Sequence, residues 1–367
     1  MPAMRSIRSS LFVTVSVLVA IGIVMIYSAS AIYADGNMGD SFYYIKRHLA
    51  YLAIGLVMML VTMAVNMNTL RRLTKPLVIC AAVLLLLVII PHIGKEIGGA
   101  RRWFRLGPVN FQPSEFAKFV MILYIADIAA RKKDVMKSFL HGYLPPMIVV
   151  GMVACLVLVE PDLGTAVATS VISMLMLFVA GVRASHIGAS FLASLPVLYM
   201  LLFSVAYRRK RMMAFLNPWA DKRGTGFQII QSFIALGSGG LFGVGLGQSR
   251  QKLFYLPASH TDFIFSIIGE ELGFIGAASV VILFILFIWQ GMRIVFKAED
   301  PFLRLVAFGI VTLIALEATI NIGVVAGALP TKGLPLPFIS YGGSALLFHL
   351  AAVGILLNIA KSCEVYR

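Results

Sequence analysis

Apolar residues fall into long stretches, and polar residues collect between them. Ten such stretches run roughly over 11–34, 48–66, 76–93, 114–130, 143–160, 163–182, 186–206, 263–291, 302–329 and 338–360. Each approaches the roughly 20 residues that an α-helix needs to cross a bilayer. The pattern predicts an all-α, polytopic membrane protein with ten transmembrane helices in a single domain over 1–367. The connections are short except for 207–262, between the seventh and eighth stretches. A structureless segment of that length is uncommon in a compact domain. Within it, 226–236 (GFQIIQSFIAL) reads as a short amphipathic helix. Phe227, Ile230, Phe233 and Ile234 share one face, which suits a helix lying in the membrane interface. Asn217-Pro218 before it and 237–240 (GSGG) after it are breakers.

Composition sharpens the class. Apolar residues make up 60% of the chain and charged ones 13%, against roughly 25% charged in an ordinary soluble domain. A soluble enzyme, a disordered chain and a disulfide scaffold are excluded. The 3 cysteines and 6 histidines match no metal or disulfide spacing. The first stretch follows Arg5 and Arg8, and Ala29-Ser30-Ala31 resembles a signal-peptide cleavage site. The apolar run is long for a signal peptide and further spans follow, so it reads as a retained span.

Charge sets orientation. The chain has 31 Lys and Arg against 16 Asp and Glu, a net +15. With the N-terminus inside, fifteen basic residues fall on each face, and Lys118 lies within a span. Eight of the outer fifteen sit in 207–262, and long loops weigh little in the positive-inside rule. Both termini are therefore placed inside. The outer face carries basic residues that topology does not require.

Several clusters carry candidate chemistry, each with a structural alternative. Asp262, in His260-Thr261-Asp262, is either the N-cap of the next helix or a carboxylate at the outer mouth of the bundle. One residue can serve both purposes. Glu270, Glu271 and Glu317 lie inside spans, where carboxylates are costly and point either to function or to a buried partner. Glu115 and Lys118 are spaced to pair on one helix face, as a structural salt bridge or as cavity lining. The turn 160–165 (EPDLGT) is a hairpin or an ordered site. Trp103 is an interfacial anchor or a sugar platform. The glycines of 243–247 (GVGLG) lack a preceding strand, so they mark turns or close backbone approach rather than a nucleotide site. The densest run of breakers, 330–337 (PTKGLPLP) with Ser340-Tyr341-Gly342-Gly343-Ser344, is tolerated at membrane depth only beside protein or a watery cavity.

These motifs together resemble those of the SEDS family (shape, elongation, division and sporulation). The resemblance rests on Asn321 with 327–335 (GALPTKGLP), the 340–344 run, 160–165, Arg102-Trp103, Gln112-Pro113-Ser114-Glu115 and Leu256-Pro257 with His260-Thr261-Asp262-Phe263-Ile264-Phe265. It covers nearly the whole chain. The segments 329–333 (LPTKG), 267–271 (IIGEE) and Asn217-Pro218-Trp219 look more like the division branch. Phe111 with 112–115 leans toward the elongation branch, and the sporulation branch is close to the division one.

The resemblance implies a peptidoglycan glycosyltransferase that polymerises lipid II, the undecaprenyl-linked disaccharide pentapeptide. It implies a bacterial cytoplasmic (inner) membrane protein at the division septum. It also implies a class B penicillin-binding partner (an FtsI-like transpeptidase) and other divisome membrane proteins, with no role for nucleic acid. The family's essential aspartate falls on Asp262, the expected general base of an inverting displacement that releases undecaprenyl pyrophosphate. Arg211, Lys332, Arg47 and Arg102 are the candidate pyrophosphate ligands, and Arg208 and Lys252 rank below them. Trp103, Glu115, Lys118 and Asp162 are the expected cavity lining. Thr261, Ser340, Gly342, Gly343 and Ser344 are further substrate-side candidates. A divalent cation, Mg or Mn, is a candidate cofactor, although no motif demands one. The rivals are a lipid II flippase, an elongation-type polymerase, a transporter using Glu317 or Glu271, and a non-catalytic division scaffold.

Overall fold

The computed structural model describes residues 2–97, 99–107, 109–253 and 255–365. Arg367 and the Arg5 side chain, both counted toward the inner face, lie outside them. The helices are α1 (Pro2–Met38), α2 (Tyr43–Ala64), α3 (Met67–Ile89), α4 (Pro113–Arg131), α5 (Leu144–Val159), α6 (Leu163–Val179), α7 (Ala184–Phe203), α8 (Ala206–Leu216), α9 (Phe227–Ser238), α10 (Ile264–Lys297), α11 (Pro301–Val325) and α12 (Gly343–Val365). All but α8 and α9 stand on the predicted apolar stretches. Among the described residues, 8 helices are long and apolar enough to cross a membrane. By that measure α4 is too charged and α6, at 17 residues, too short.

The centre of the bundle is α12, whose whole apolar window is buried. It packs on α2, α1, α11, α4 and α10. Close approach to α2 depends on Gly354. A Cβ there would lie 2.1 Å from Thr62 Oγ1 and 2.3 Å from the Met59 carbonyl. Thr62 Oγ1 donates to the Ala351 carbonyl at 2.9 Å, and Asn358 Nδ2 to the Val65 carbonyl at 2.7 Å. Small residues and interhelical hydrogen bonds are the expected glue where apolar surface gives no preference for protein over lipid. At the other extreme, α7 has no buried residue.

The α3–α4 connection differs from expectation. It is not a plain short loop but holds three antiparallel strands, β1 (Lys95–Ile97), β2 (Ala100–Leu106) and β3 (Val109–Phe111), in the order β1-β2-β3. Strands this short leave almost no alternation for a sequence to display. The long connection 207–262 is indeed ordered, through α8, α9 and a series of turns. Its amphipathic helix exists, but its buried positions are Ile229, Ile230, Ser232 and Ala235, and Ile234 is exposed. The reason is packing on α10 and α11 rather than on lipid. Ser232 Oγ lies 2.7 Å from Ser266 Oγ and donates to the Val325 carbonyl at 2.8 Å.

Candidate active site

One pocket of about 540 Å³ lies where five regions of sequence converge. This is within the usual range of roughly 300–1,000 Å³ for ligand sites. Asp262 contributes from just before α10, Asp162 from the start of α6, and Arg102 from β2. Arg208 and Arg211 come from α8, and Lys332 from the α11–α12 connection. Four cations face two carboxylates, so the pocket carries an excess of positive charge.

Asp262 is not the N-cap of α10. Phe263 holds that position and no side chain caps it. The backbone around Asp262 is pinned instead. Asn321 Nδ2, on α11, donates to the Asp262 carbonyl at 2.9 Å and to the Leu334 carbonyl at 2.8 Å. Ser340 Oγ donates to the Thr261 carbonyl at 2.6 Å, and the Tyr341 amide to the His260 carbonyl at 3.0 Å. The 330–341 breaker run is thus tied to the segment that carries the aspartate. Its carboxylate opens to the pocket but is otherwise crowded by protein. Burial pushes its pKa up to about 6, and the opposing charge of Arg211 limits the rise.

The turn 160–162 forms the opposite wall. Asp162 caps α6, accepting from the Thr165 amide at 3.2 Å and from Thr165 Oγ1 at 2.9 Å. Gln112 Nε2 reaches it at 3.3 Å. Arg102 Nε donates to the Glu160 carbonyl at 2.7 Å, and Nη2 to the Pro161 carbonyl at 2.5 Å. Two donors of Arg102 are therefore engaged in holding the turn, which narrows its expected role as an anion ligand. Glu160 is buried, and neither carboxyl oxygen has a hydrogen-bond partner among the described residues. Burial and the nearby Asp162 push its pKa up to about 8, against the pull of Arg102. Burial also lowers the pKa of Lys332, while Asp162 opposes the fall.

Other expected site residues lie away from this pocket. Arg47 stacks 4.7 Å over the Tyr43 ring. Trp103 lies in β2 opposite Lys95. Thr261 Oγ1 donates to the Ala258 carbonyl at 3.2 Å. Ser340 Oγ accepts from the Leu336 amide at 2.8 Å. Ser344 Oγ accepts from the Gln112 amide at 2.9 Å and donates to the Asn110 carbonyl at 3.0 Å. Gly343 faces the Tyr51 ring and Gly342 faces Pro335. None of these residues lines the pocket, and Ser340 among them holds the backbone at Thr261. Lys252 is buried on Glu271 at 2.8 Å.

Glu115 and Lys118 do pair, at 2.9 Å, but within a larger buried group. Lys118 also binds Glu317, whose other oxygen is 2.7 Å from His349 Nε2. Glu115, Glu317 and His349 could jointly ligate a metal, their ligand atoms lying within 4.8 Å of one another. The Lys118 ammonium already supplies a cation to both carboxylates, so the set does not suit a divalent ion. The pocket suits one no better, because its carboxylates are outnumbered by Arg and Lys.

Residues 8–364 match the sequence model of the FtsW/RodA/SpoVE family, described as Cell cycle protein. The chain belongs to that family. The SEDS resemblance read from its motifs is thereby confirmed. A SEDS relative from Geobacter sulfurreducens, a probable peptidoglycan glycosyltransferase FtsW, is 47% identical over 94% of this chain and 92% of its own. The stage V sporulation protein E of Bacillus subtilis is 45% identical over 94% of each. A SEDS-like fold also appears in a solved structure on the coordination of polymerization and crosslinking by a peptidoglycan synthase complex. It has a TM-score of 0.79 and 30% identity, covering 96% of this chain and 97% of that one. The chain is accordingly a multi-helix integral membrane protein of the SEDS type.

Proposed function

We propose that this protein is a peptidoglycan glycosyltransferase of the division branch, and that Asp262 is the general base with which it polymerises lipid II. The names of its relatives support the activity. The residue assignment rests on a shielded carboxylate that accepts no hydrogen bond from the described residues, in a pocket with an excess of Arg and Lys. In the reaction, the C4 hydroxyl of an acceptor GlcNAc attacks C1 of the donor MurNAc. The new bond is O4–C1, and the bond that breaks joins C1 to the pyrophosphate oxygen. The hydroxyl proton passes to Asp262, and undecaprenyl pyrophosphate leaves with the bonding electrons. The α link becomes β in one inverting step.

Base catalysis of this kind contributes roughly 10²–10⁴ in rate. A carboxylate near pKa 6 is a better base than an ordinary one near 4, and Asp262 remains ionised at neutral pH. Arg211 and Lys332 stabilise the charge growing on the pyrophosphate, Arg by paired donors and Lys as a point charge. No step is assigned to a metal ion. Ten membrane crossings, both termini inside, a septal location and a class B penicillin-binding partner complete the reading. The peptidoglycan synthase complex among its structural relatives supports such a partner.

The test is a glycan-chain assay on lipid II with the protein co-purified with its transpeptidase. Wild type should form polymer and Asp262→Ala should not, while still binding the partner. Near-normal polymer from Asp262→Ala would sink the assignment. Lipid II transport into vesicles without polymer from wild type would favour the flippase.

A further inference from the structure

The long helix α10 is broken at Gly273, about two and a half turns into the helix that follows Asp262. Gly273 has φ 69 and ψ −166, a conformation open essentially to glycine alone. A broken helix leaves backbone groups without partners, which is costly away from water. Here the 240–245 segment satisfies them. The Val244 and Gly245 amides donate to the Glu270 and Glu271 carbonyls at 3.0 and 3.1 Å. The Phe274 and Ile275 amides donate to the Gly240 and Leu241 carbonyls at 2.9 and 3.2 Å. The backbones approach so closely that a Cβ on Gly243 would lie 2.1 Å from the Glu271 carbonyl oxygen.

Side chains bolt the next stretch to the same half-helix. Glu270 accepts from the Arg250 amide at 2.9 Å and from Ser249 Oγ. Glu271 binds Lys252 Nζ at 2.8 Å and lies 2.7 Å from Ser28 Oγ on α1. Lys252 Nζ also donates to Ser28 Oγ at 3.1 Å. Both glutamates and Lys252 are buried. The clamp at Lys252 and the first turns of α10 therefore flank the approach to Asp262.

We propose that Lys252, Glu270 and Glu271 are positioning residues, which clamp the 240–252 strap across the break in α10 and so hold Asp262 in the pocket. The proposal rests on the reading of Asp262 as the base. Its consequence is that loosening the clamp admits water to Asp262 without removing any pocket group. Among the described residues, the charged groups that line the pocket with Asp262 are Arg208 and Arg211 on α8, Arg102 on β2, Asp162 and Lys332, with Glu160 beside Asp162; Arg211 is the one that acts on the charge of Asp262. None of them belongs to the clamp.

The experiment follows lipid II polymerisation against pH in the transpeptidase complex. Glu271→Gln and Lys252→Met should each lower kcat at least ten-fold with KM for lipid II within two-fold. The acid limb should move from near pH 6 toward the ordinary carboxylate range, and Lys252→Arg should restore it. Single charge removals can impair folding, so Ser28→Ala, which leaves the ion pair intact, and the neutral pair Lys252→Met with Glu271→Gln serve alongside. An acid limb that stays near 6 in every variant that retains its partner and melting temperature overturns the clamp. Asp262→Ala run in parallel separates the two ideas. An active Asp262→Ala defeats the base assignment. An inactive one, together with an unmoved acid limb in the clamp variants, defeats the clamp alone.

Discussion

Gly333 meets the carboxylate of Asp262: a Cβ at position 333 would stand 3.0 Å from Oδ2. That distance is tighter than ordinary van der Waals contact. The carboxylate would have to yield by a few tenths of an ångström. Base catalysis depends on placement, and a misplacement of about 1 Å costs on the order of 10²-fold. Gly333→Ala should therefore lower kcat for lipid II polymerisation about ten-fold, with the melting temperature in detergent nearly unchanged. Gly333→Val should lower it further. Full activity in both would show that the carboxylate is not held where the geometry places it.

The raised pKa of Asp262 sets the acid side of the pH–rate profile. Below about pH 6 the carboxyl is protonated and cannot accept the hydroxyl proton. The rate should fall about ten-fold per pH unit there and level off above pH 7. An ordinary carboxylate would hold the plateau down to about pH 4. A pH–rate profile distinguishes them, and a plateau continuing to pH 4.5 would contradict the shielded base. The stability consequence has the opposite sign. The folded pKa lies above the unfolded one, so the fold favours the protonated form and loses that advantage as pH rises through about 4–6. Asp262→Asn should then stabilise the protein at pH 7.5, by on the order of 1 kcal/mol once water at the pocket mouth is allowed for, while abolishing polymerisation.

The buried group of Glu115, Lys118, Glu317 and His349 ties α4, α11 and α12 together. Removing one partner from such a group leaves an uncompensated charge, which costs roughly 3–5 kcal/mol. Lys118→Met should destabilise the protein by that order, read as a large drop in melting temperature and in yield from membranes. Combining it with Glu317→Gln should recover part of the loss. A double variant no more stable than the single would show that the four side chains do not act as one group.

The apolar stretches revealed the long helices because the lipid requirement for about 20 apolar residues is strong and local. Motifs contain Asp262, Asp162 and Lys332, and the excess of basic residues on the outer face adds Arg211; the four meet in one pocket although they lie far apart in sequence. Trp103, Ser340 and Ser344 share those motifs yet face other neighbours, because a motif marks more than the lining of a site; Arg47, expected from outer-face charge alone, also lies elsewhere. Gly333 sits within a motif, but its value lies in a contact with a residue 71 positions earlier, which no local pattern displays. The same is true of Glu317 and His349 joining Glu115 and Lys118. The break at Gly273 was hidden because the apolar run continues through it, and only the partner strap at 240–245 makes it affordable.

Arg211 offers a prediction in the opposite direction to the clamp. It sits on α8, stacked 4.4 Å over Tyr207, and it is the charge that restrains the pKa of Asp262. Removing it takes away attraction for the ionised carboxylate, so the acid limb must rise above 6 rather than fall. It also takes away paired donors for the leaving pyrophosphate. Arg211→Gln should therefore show an acid limb shifted upward and a kcat at least ten-fold lower even on the high-pH plateau. Arg211→Lys keeps the charge but not the fork. It should hold the acid limb near 6 while recovering only part of the plateau rate. A pH–rate comparison of the three proteins on lipid II checks both. If Arg211→Gln leaves the acid limb in place, Arg211 does not act on Asp262. If the plateau is also unchanged, the leaving group is stabilised elsewhere in the pocket, with Lys332 the first residue to examine.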